Sequence, residues 1–206
     1  MVSSEDPLSS RTIVVTGSSE RVEEVVAALG RAGVGPSDIV AVTDLGLLPG
    51  RVAQLSAGSV RAYVQLPVTI ASEASTVTAR FRDFLTRGIV ARFDAAAMIL
   101  PVLAHEAVVV LVGGNTPAAD TPTDDQHARA SLLRVLRWGL LADRPQPAGT
   151  KVVLTTSTVG ADEICDLTLT GPVGREQRLE ALDRDNPDME YDDWRLAVLS
   201  LASVDA

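Results

Sequence analysis

The residues best suited to acid–base chemistry near neutral pH are a histidine and two carboxylates that lie side by side in the chain. His127 follows Asp124 and Asp125, and an imidazole beside a carboxylate can act as a general base. A general base also needs an electrophile, an orienting group and a pocket, and the sequence names none of these. The same residues suit the start of a helix, where carboxylates accept hydrogen bonds from the first backbone amides. We favour this structural interpretation of His127.

A second candidate site is the turn between the first predicted strand and the first predicted helix. The strand ends at Thr16, and Gly17 opens a turn that leads into the helix. In nucleotide-binding α/β proteins this turn holds phosphate against the amides of the helix N-terminus. Here the helix starts with Glu20, Glu23 and Glu24, whose carboxylates repel phosphate and interact favourably with the helix dipole. The pattern favours a helix whose phosphate site is closed.

The remaining polar candidates carry weaker signals. Asp44 follows the second predicted strand, where a carboxylate can hold the ribose hydroxyls of a dinucleotide. An aspartate that closes a strand is also a common turn residue, and we favour the turn. His105 follows a predicted helix and suits its negative end. The two histidines are far apart and form no metal signature, and no Gly-x-Ser-x-Gly motif is present.

The elements that must hold these residues are predicted by hydrophobic patterning. Short apolar runs predict strands at residues 12–16, 38–43, 60–66, 107–112 and 151–155. Helical spacing predicts helices at 21–31, 49–57, 75–103 with a possible break at Gly88, 126–142, 176–182 and 192–201. Residues 113–125 are predicted to form a polar loop, and residues 156–188 to be irregular apart from 176–182.

The alternation of strands and helices predicts the fold class. Such a chain forms βαβ crossovers, which place helices on both faces of a parallel sheet. The sequence therefore predicts an α/β fold, a doubly wound Rossmann-like three-layer sandwich with about five parallel strands. Residues 1–10 are expected to form a flexible tail. Residues 11–206 are expected to form a single domain, because no stretch is suited to a long linker.

Composition narrows the classes of function. The 206 residues carry a net charge of −9, and an acidic surface repels nucleic-acid phosphates, so we expect no nucleic-acid partner. The single cysteine, Cys165, excludes an internal disulfide and a cysteine zinc cluster and fits the cytoplasm. The N-terminus has no signal-peptide pattern, and the longest apolar runs are too short to cross a bilayer. We therefore expect a cytoplasmic protein with no membrane partner.

The order of the predicted elements resembles the short-chain dehydrogenase/reductase family over almost the whole chain. The segments that carry the resemblance are VVTGSS, AYVQLPV, FRDFLTRGIVARFDAAAMILPVL, AVVVLVGG, HARASLLRVLRWGLLAD and WRLAVLSLASVDA. One family strand and helix, before AYVQLPV, have no counterpart. Removing that pair implies five parallel strands in the order 2-1-3-4-5.

The cofactor loop of the family is altered in this chain. The family pattern is Thr-Gly-x-x-x-Gly-x-Gly, and only Thr16 and Gly17 match it, because the next two glycines fall on Arg21 and Glu23. Side chains at those positions would crowd a pyrophosphate. The family's Asn-Asn-Ala-Gly becomes Gln-Leu-Pro-Val, in which Pro67 lacks a backbone N–H.

The catalytic residues of the family are replaced as well. In the match, the family's Asn, Ser, Tyr and Lys fall in turn on Gly88, Gly114, His127 and Ser131. The chain has one lysine, Lys151, and two tyrosines, Tyr63 and Tyr191. No Tyr-x-x-x-Lys motif therefore exists in any register. We expect no catalytic, cofactor-binding or metal-binding residues of the family's kind, and no cofactor.

With the catalytic residues replaced, the resemblance implies a protein whose surface binds a partner and which does not catalyse the family's reaction. In the family, the two long helices that match residues 75–103 and 126–142 form the subunit interface. We therefore expect a non-catalytic structural or regulatory subunit. It would form a homo-oligomer, or a hetero-oligomer with an active dehydrogenase or reductase, through those helices.

Three alternatives remain open at this point. The chain could be an NAD(P)-dependent oxidoreductase with an atypical site around His127 and the loop at 113–125. It could be a small-molecule sensor that uses the former cofactor cleft. It could also have another two-sided α/β fold, such as half of a uroporphyrinogen synthase-like protein, because a strand followed by a helix is not specific.

Overall fold

The fold is a twisted parallel sheet with helices packed on both faces, an α/β Rossmann-like arrangement. A computed structural model describes residues 12–68, 73–113, 135–137, 149–155 and 159–171. Within them, five strands form one sheet in the order β2-β1-β3-β4-β5, and every neighbouring pair is parallel. The predicted fold class and the predicted strand order are both confirmed.

The strands are short runs of β-branched and other apolar residues. Their bounds are Thr12–Thr16 for β1, Ile39–Val42 for β2, Val60–Gln65 for β3, Leu103–Val112 for β4 and Lys151–Thr155 for β5. The three central strands β1, β3 and β4 are buried on both faces over most of their length. This is why they have no polar alternation, as is usual for parallel sheets.

The helices divide into two layers. Their bounds are Ser19–Arg31 for α1, Leu48–Val52 for α2, Val77–Asp83 for α3, Ala91–Ile99 for α4 and Ala161–Thr170 for α5. Helices α1 and α5 pack on one apolar cluster, whose central residues include Val15, Val110 and Ile164. Helices α2 and α4 and the helical residues 135–137 pack on a cluster on the opposite face. There the Arg137 Nε donates to the Val152 carbonyl at 3.1 Å.

Several predicted boundaries are wrong. β4 begins at Leu103, four residues before the predicted start. Its pairing with β3 shifts register between Val60 and Ala62, and Glu106 has a φ of 59° in the left-handed region. The first half of the strand is therefore not a continuous apolar run, and the sequence pattern does not predict it. The helix predicted at 49–57 ends at Val52.

Two helical features were not predicted. Residues 156–188 were expected to be irregular, yet Ala161–Thr170 forms α5, which ends at Gly171 with a φ of 74°. The long helix at 75–103 does run through this region, but it contains a π-helical segment, Phe84–Val90, between α3 and α4. It also closes in a 3₁₀ turn, Leu100–Val102, rather than continuing to residue 103. Gly88, the predicted break, lies inside the π-helical segment.

Several predictions fall outside the described residues. They concern the tail at 1–10, the loop at 113–125 beyond Gly113, most of the helix at 126–142, and the helices at 176–182 and 192–201. Among the helices that the structure describes, none has the length and apolar character that crossing a bilayer requires.

Replacing Gly17 tests the contact between the turn after β1 and the segment after β3. Gly17 has a φ of 150°, and a Cβ there would lie 2.5 Å from the Cβ of Leu66. Gly17→Ala should lower the free energy of unfolding by about 2–4 kcal/mol, through overpacking and backbone strain. Urea denaturation measures the change.

The matched control for that prediction is Gly30→Ala. Gly30 is helical and exposed, and a Cβ there would meet nothing within 4 Å. This variant should be neutral or gain up to about 1 kcal/mol. Equal stability of the two variants would show that Gly17 and Leu66 are not packed together.

Candidate site at the carboxyl edge of the sheet

The candidate site lies beyond the carboxyl ends of β1 and β3. Open parallel sheets bind ligands where neighbouring strands lead to opposite faces, and in a 2-1-3-4-5 sheet that place is between β1 and β3. Here the two strands remain paired up to their last residues, Thr16 and Gln65. The chain segments that follow these residues decide whether a crevice opens.

The turn after β1 is hydrogen-bonded to the segment after β3. The Leu66 amide donates to the Thr16 carbonyl at 2.7 Å, and the Ser18 amide donates to the Pro67 carbonyl at 3.0 Å. On the other side, the Gly17 amide donates to the Val42 carbonyl at 3.3 Å. Leu66 is buried and abuts Gly17, as described above. The backbone at the switch point is therefore occupied by contacts within the chain.

The first turn of α1 differs from the predicted arrangement. The helix begins at Ser19 rather than at Arg21, so only Glu20 lies in its first turn. Glu23 and Glu24 lie one turn further on, where the favourable effect of the helix dipole is smaller. The Glu24 carboxylate instead accepts from the Arg21 Nη1 at 2.7 Å. The prediction that all three carboxylates serve the helix end is therefore wrong for two of them.

Arg21 ties α1 to the segment before α5. Its Nη2 donates to the Val159 carbonyl at 2.8 Å, a contact between residues 138 positions apart. Arg21 stands where the resemblance would place the second glycine of a phosphate loop. Its side chain makes a structural contact in this chain.

A chain of buried polar side chains runs across the strand ends. Thr16, Tyr63 and Gln65 are each 1% exposed and Arg92 is 7% exposed. The Gln65 Nε2 donates to the Tyr63 hydroxyl oxygen at 3.0 Å. The Tyr63 hydroxyl also shares a hydrogen bond with the Thr16 Oγ1, which lies 3.1 Å away, and either hydroxyl can be the donor. These groups satisfy one another inside the protein, as buried polar groups must.

Arg92 joins this chain from α4. Its Nε donates to the Gln65 Oε1 at 2.9 Å, and its Nη2 donates to the carbonyls of Gln65 at 3.2 Å and Val112 at 2.8 Å. In return, the Arg92 carbonyl accepts from the Gln65 Nε2 at 2.8 Å. One guanidinium thus holds the carboxyl ends of β3 and β4 together and fixes α4 above them.

Asp44 has a local role at the end of β2. It is the N-cap of the 3₁₀ turn Leu45–Leu47, and its Oδ1 accepts from the Gly46 amide at 2.9 Å. This is the turn role that the sequence favoured. His105, expected at the end of a helix, instead lies within β4. Among the described residues, no group of three or more His, Cys, Asp or Glu side chains could hold a metal ion.

The lysine and the described tyrosine lie on opposite faces of the sheet. Tyr63 belongs to the apolar cluster on the α4 face. Lys151 starts β5 at the amino edge, and its Cδ lies 3.2 Å from the Cβ position of Gly171, at the end of α5. The two side chains cannot meet. Burial also raises the pKa of Tyr63 above its usual value, although hydrogen bonds to Thr16 and Gln65 oppose that shift.

Other residues of the predicted site cannot be placed. Gly114, His127, Ser131 and Tyr191 lie outside the described residues. Sequence reasoning missed Arg92 and its contact with Gln65. A signal was present, because Arg92 is the basic residue within the alanine-rich apolar stretch that forms α4. A charge on such a helix needs a partner inside the protein.

Comparison with solved structures finds distant structural likenesses. No family model matches the chain, and no curated protein matches it. The chain is similar to the crystal structure of a short-chain dehydrogenase/reductase from Vibrio parahaemolyticus, at 8% identity and a TM-score of 0.49. The match covers 74% of this chain and 89% of that one. At this identity and TM-score the match gives no information on function. The fold class is established by the five-stranded parallel sheet described above.

The buried hydroxyl of Tyr63 gives a prediction at two pH values. Tyr63→Phe removes the hydrogen-bond partner of the Thr16 hydroxyl and an acceptor of the Gln65 Nε2, so it should lower the free energy of unfolding by about 1–2 kcal/mol at pH 7. Because the pKa of Tyr63 is raised in the folded state, the unfolded state loses this proton first. Wild-type stability should therefore fall as pH rises above about 10, by up to about 1.4 kcal/mol per pH unit.

Urea denaturation at pH 7 and pH 11 measures both effects. The Tyr63→Phe variant has no hydroxyl at residue 63 to lose a proton at high pH. Its free energy of unfolding should therefore approach that of the wild type at pH 11. Cys165, whose pKa burial also raises, titrates in both proteins and cancels in the comparison. A constant difference between the two proteins from pH 7 to pH 11 would contradict the buried position of Tyr63.

Proposed function

We propose that this chain is a non-catalytic short-chain-dehydrogenase-like protein that serves as a structural or regulatory subunit. The observation that carries the proposal is the filled switch point between β1 and β3. The Ser18 amide is bonded to the Pro67 carbonyl, and Leu66 packs against Gly17. A dinucleotide would have to displace both contacts.

The polar groups beneath the switch point support the same proposal. A binding site presents its donors and acceptors to the ligand. Here Thr16, Tyr63, Gln65 and Arg92 bond to one another and to strand-end carbonyls, and all four are buried. A ligand could reach them only by breaking this network, which would leave buried polar groups without partners.

Among the residues that the structure describes, the tyrosine and the lysine offer no substitute for the family's chemistry. Proton transfer by a tyrosine needs a lowered pKa and access to the substrate. Tyr63 has a raised pKa and is buried. Lys151, the only lysine, lies at the opposite edge and on the opposite face of the sheet. Neither residue could act as the acid–base pair that the resemblance implies.

The partner in this proposal is a second copy or an active dehydrogenase, bound through helices 75–103 and 126–142. Exposed apolar side chains support this choice. On the long helix, Val90 is 50% exposed and Met98 is 37% exposed, and Val135 on the other helix is 57% exposed. A partner that packs on these helices would cover these side chains and remove them from water.

Binding of dinucleotides tests the first part of the proposal. Thermal unfolding is measured with NAD, NADH, NADP or NADPH at about 1 mM, which is roughly 100 times a Kd of about 10 μM. An active short-chain dehydrogenase serves as the positive control. A ligand at about 100 times its dissociation constant adds about 2.7 kcal/mol, which raises Tm by about 5 °C or more in a protein of this size. We expect no such rise for this chain. A clear rise with any dinucleotide would overturn the closed site and favour an enzyme or a sensor.

Association tests the second part. Purified protein is compared with the double variant Val90→Glu/Met98→Glu by light scattering after size exclusion. We expect a mass above one chain for the wild type and one chain for the variant, because buried carboxylates without partners oppose association.

The control for association is Leu47→Glu. Leu47 is 62% exposed and precedes α2, outside both helices of the proposed interface. It should leave the mass unchanged. If the wild type stays monomeric alone and with candidate dehydrogenases, the interface proposal fails, whatever the outcome with dinucleotides.

A further inference from the structure

The long helix that ends in α4 contains a register irregularity beside the buried Arg92. Residues Phe84–Val90 form a π-helical segment, and the Ala91 amide donates to the Thr86 carbonyl, five residues back. An α-helix bonds four residues back, so a π-helical turn holds about one residue more than an α-helical turn. Long π-helical segments are rare and need an external reason.

Arg92, two residues after the end of the π-helical segment, is held from outside the helix. It is anchored twice to the Gln65 side chain, through its Nε to the Oε1 and through its carbonyl to the Nε2. Its Nη2 also bonds to the Val112 carbonyl at 2.8 Å. These contacts fix the height and the rotation of the helix at Arg92 relative to the strand ends.

The buried face of the helix is continuous through this point. Arg92, Ala95, Ala96 and Ile99 are buried and follow helical spacing along α4. Gly88, four residues before Arg92, is buried as well. The extra residue is therefore accommodated at the π-helical segment itself, next to the anchor, rather than by turning α4 on the sheet.

We propose that the Gln65–Arg92 contact is a latch that holds Phe84–Val90 in the π register, and that its release lets this segment take the α register. The change would rotate α3 relative to α4, because one residue would leave the π-helical turn. Breaking this buried contact would then reposition α3, the N-terminal part of the long helix. This device goes beyond the proposed function, since it needs neither an active site nor an oligomer.

Crystal structures of the full chain and of Arg92→Met test the latch directly. The readout is the acceptor of the Ala91 amide. In the wild type we expect the Thr86 carbonyl, and in Arg92→Met we expect the Arg87 carbonyl, four residues back. Gln65→Met, which keeps Arg92, should give the same change. Folded variants that retain the bond from Ala91 to Thr86 would overturn the proposal.

If the substitutions prevent folding, two single-residue deletions test whether the π-helical segment holds a surplus residue. Deleting Thr86, an exposed residue of the π-helical segment, removes the surplus residue while the latch remains. Its thermal midpoint should lie close to that of the wild type. Deleting Ala97, an exposed residue of α4, disturbs a regular helix and should lower the midpoint sharply. Equal losses from the two deletions would show that the segment holds no surplus residue and would overturn the proposal.

Discussion

The carboxyl edge of the sheet depends on a buried guanidinium. The final carbonyls of β1, β2 and β5 accept hydrogen bonds from backbone amides of neighbouring segments. Arg92 supplies donors to those of β3 and β4, at Gln65 and Val112. Because a buried cation is costly unless it is well hydrogen-bonded, its acceptors must keep their places. The position of α4, the pairing of β3 with β4 and the orientation of the Gln65 amide all follow from that requirement.

The contacts that occupy the switch point between β1 and β3 are largely separate from the contacts that hold the sheet together. The sheet is held by two apolar clusters, one on each face, that reach from edge to edge of the central strands. Leu66, just beyond β3, belongs to one of them, but most of their members are strand and helix residues. A parallel sheet of this kind can therefore keep its strand order and packing while the segments beyond its strand ends differ.

The strands and their order could be predicted from the sequence, whereas the site could not. Continuous β-branched runs such as Ile13–Val15 are typical of buried parallel strands, and the pattern failed only where Glu106 kinks β4. The contact between Gln65 and Arg92 joins residues 27 positions apart, and the one between Arg21 and Val159 joins residues 138 apart. No local pattern encodes such pairs, because they exist only once the strands are aligned. The start of α1 was misplaced by two residues, which changed the role assigned to Glu23 and Glu24.

The position of Lys151 bears on how the sheet avoids unwanted growth. β5 is the outermost of the described strands on its side of the sheet, and such a strand can template pairing with other chains. Lys151, the chain's only lysine, is the first residue of β5 and is exposed. A charged ammonium at an edge strand discourages edge-to-edge association. On the other side, β2 has four residues and is followed by a turn capped by Asp44. Both outer strands are therefore poor templates for aggregation, in a chain whose central strands are almost wholly apolar.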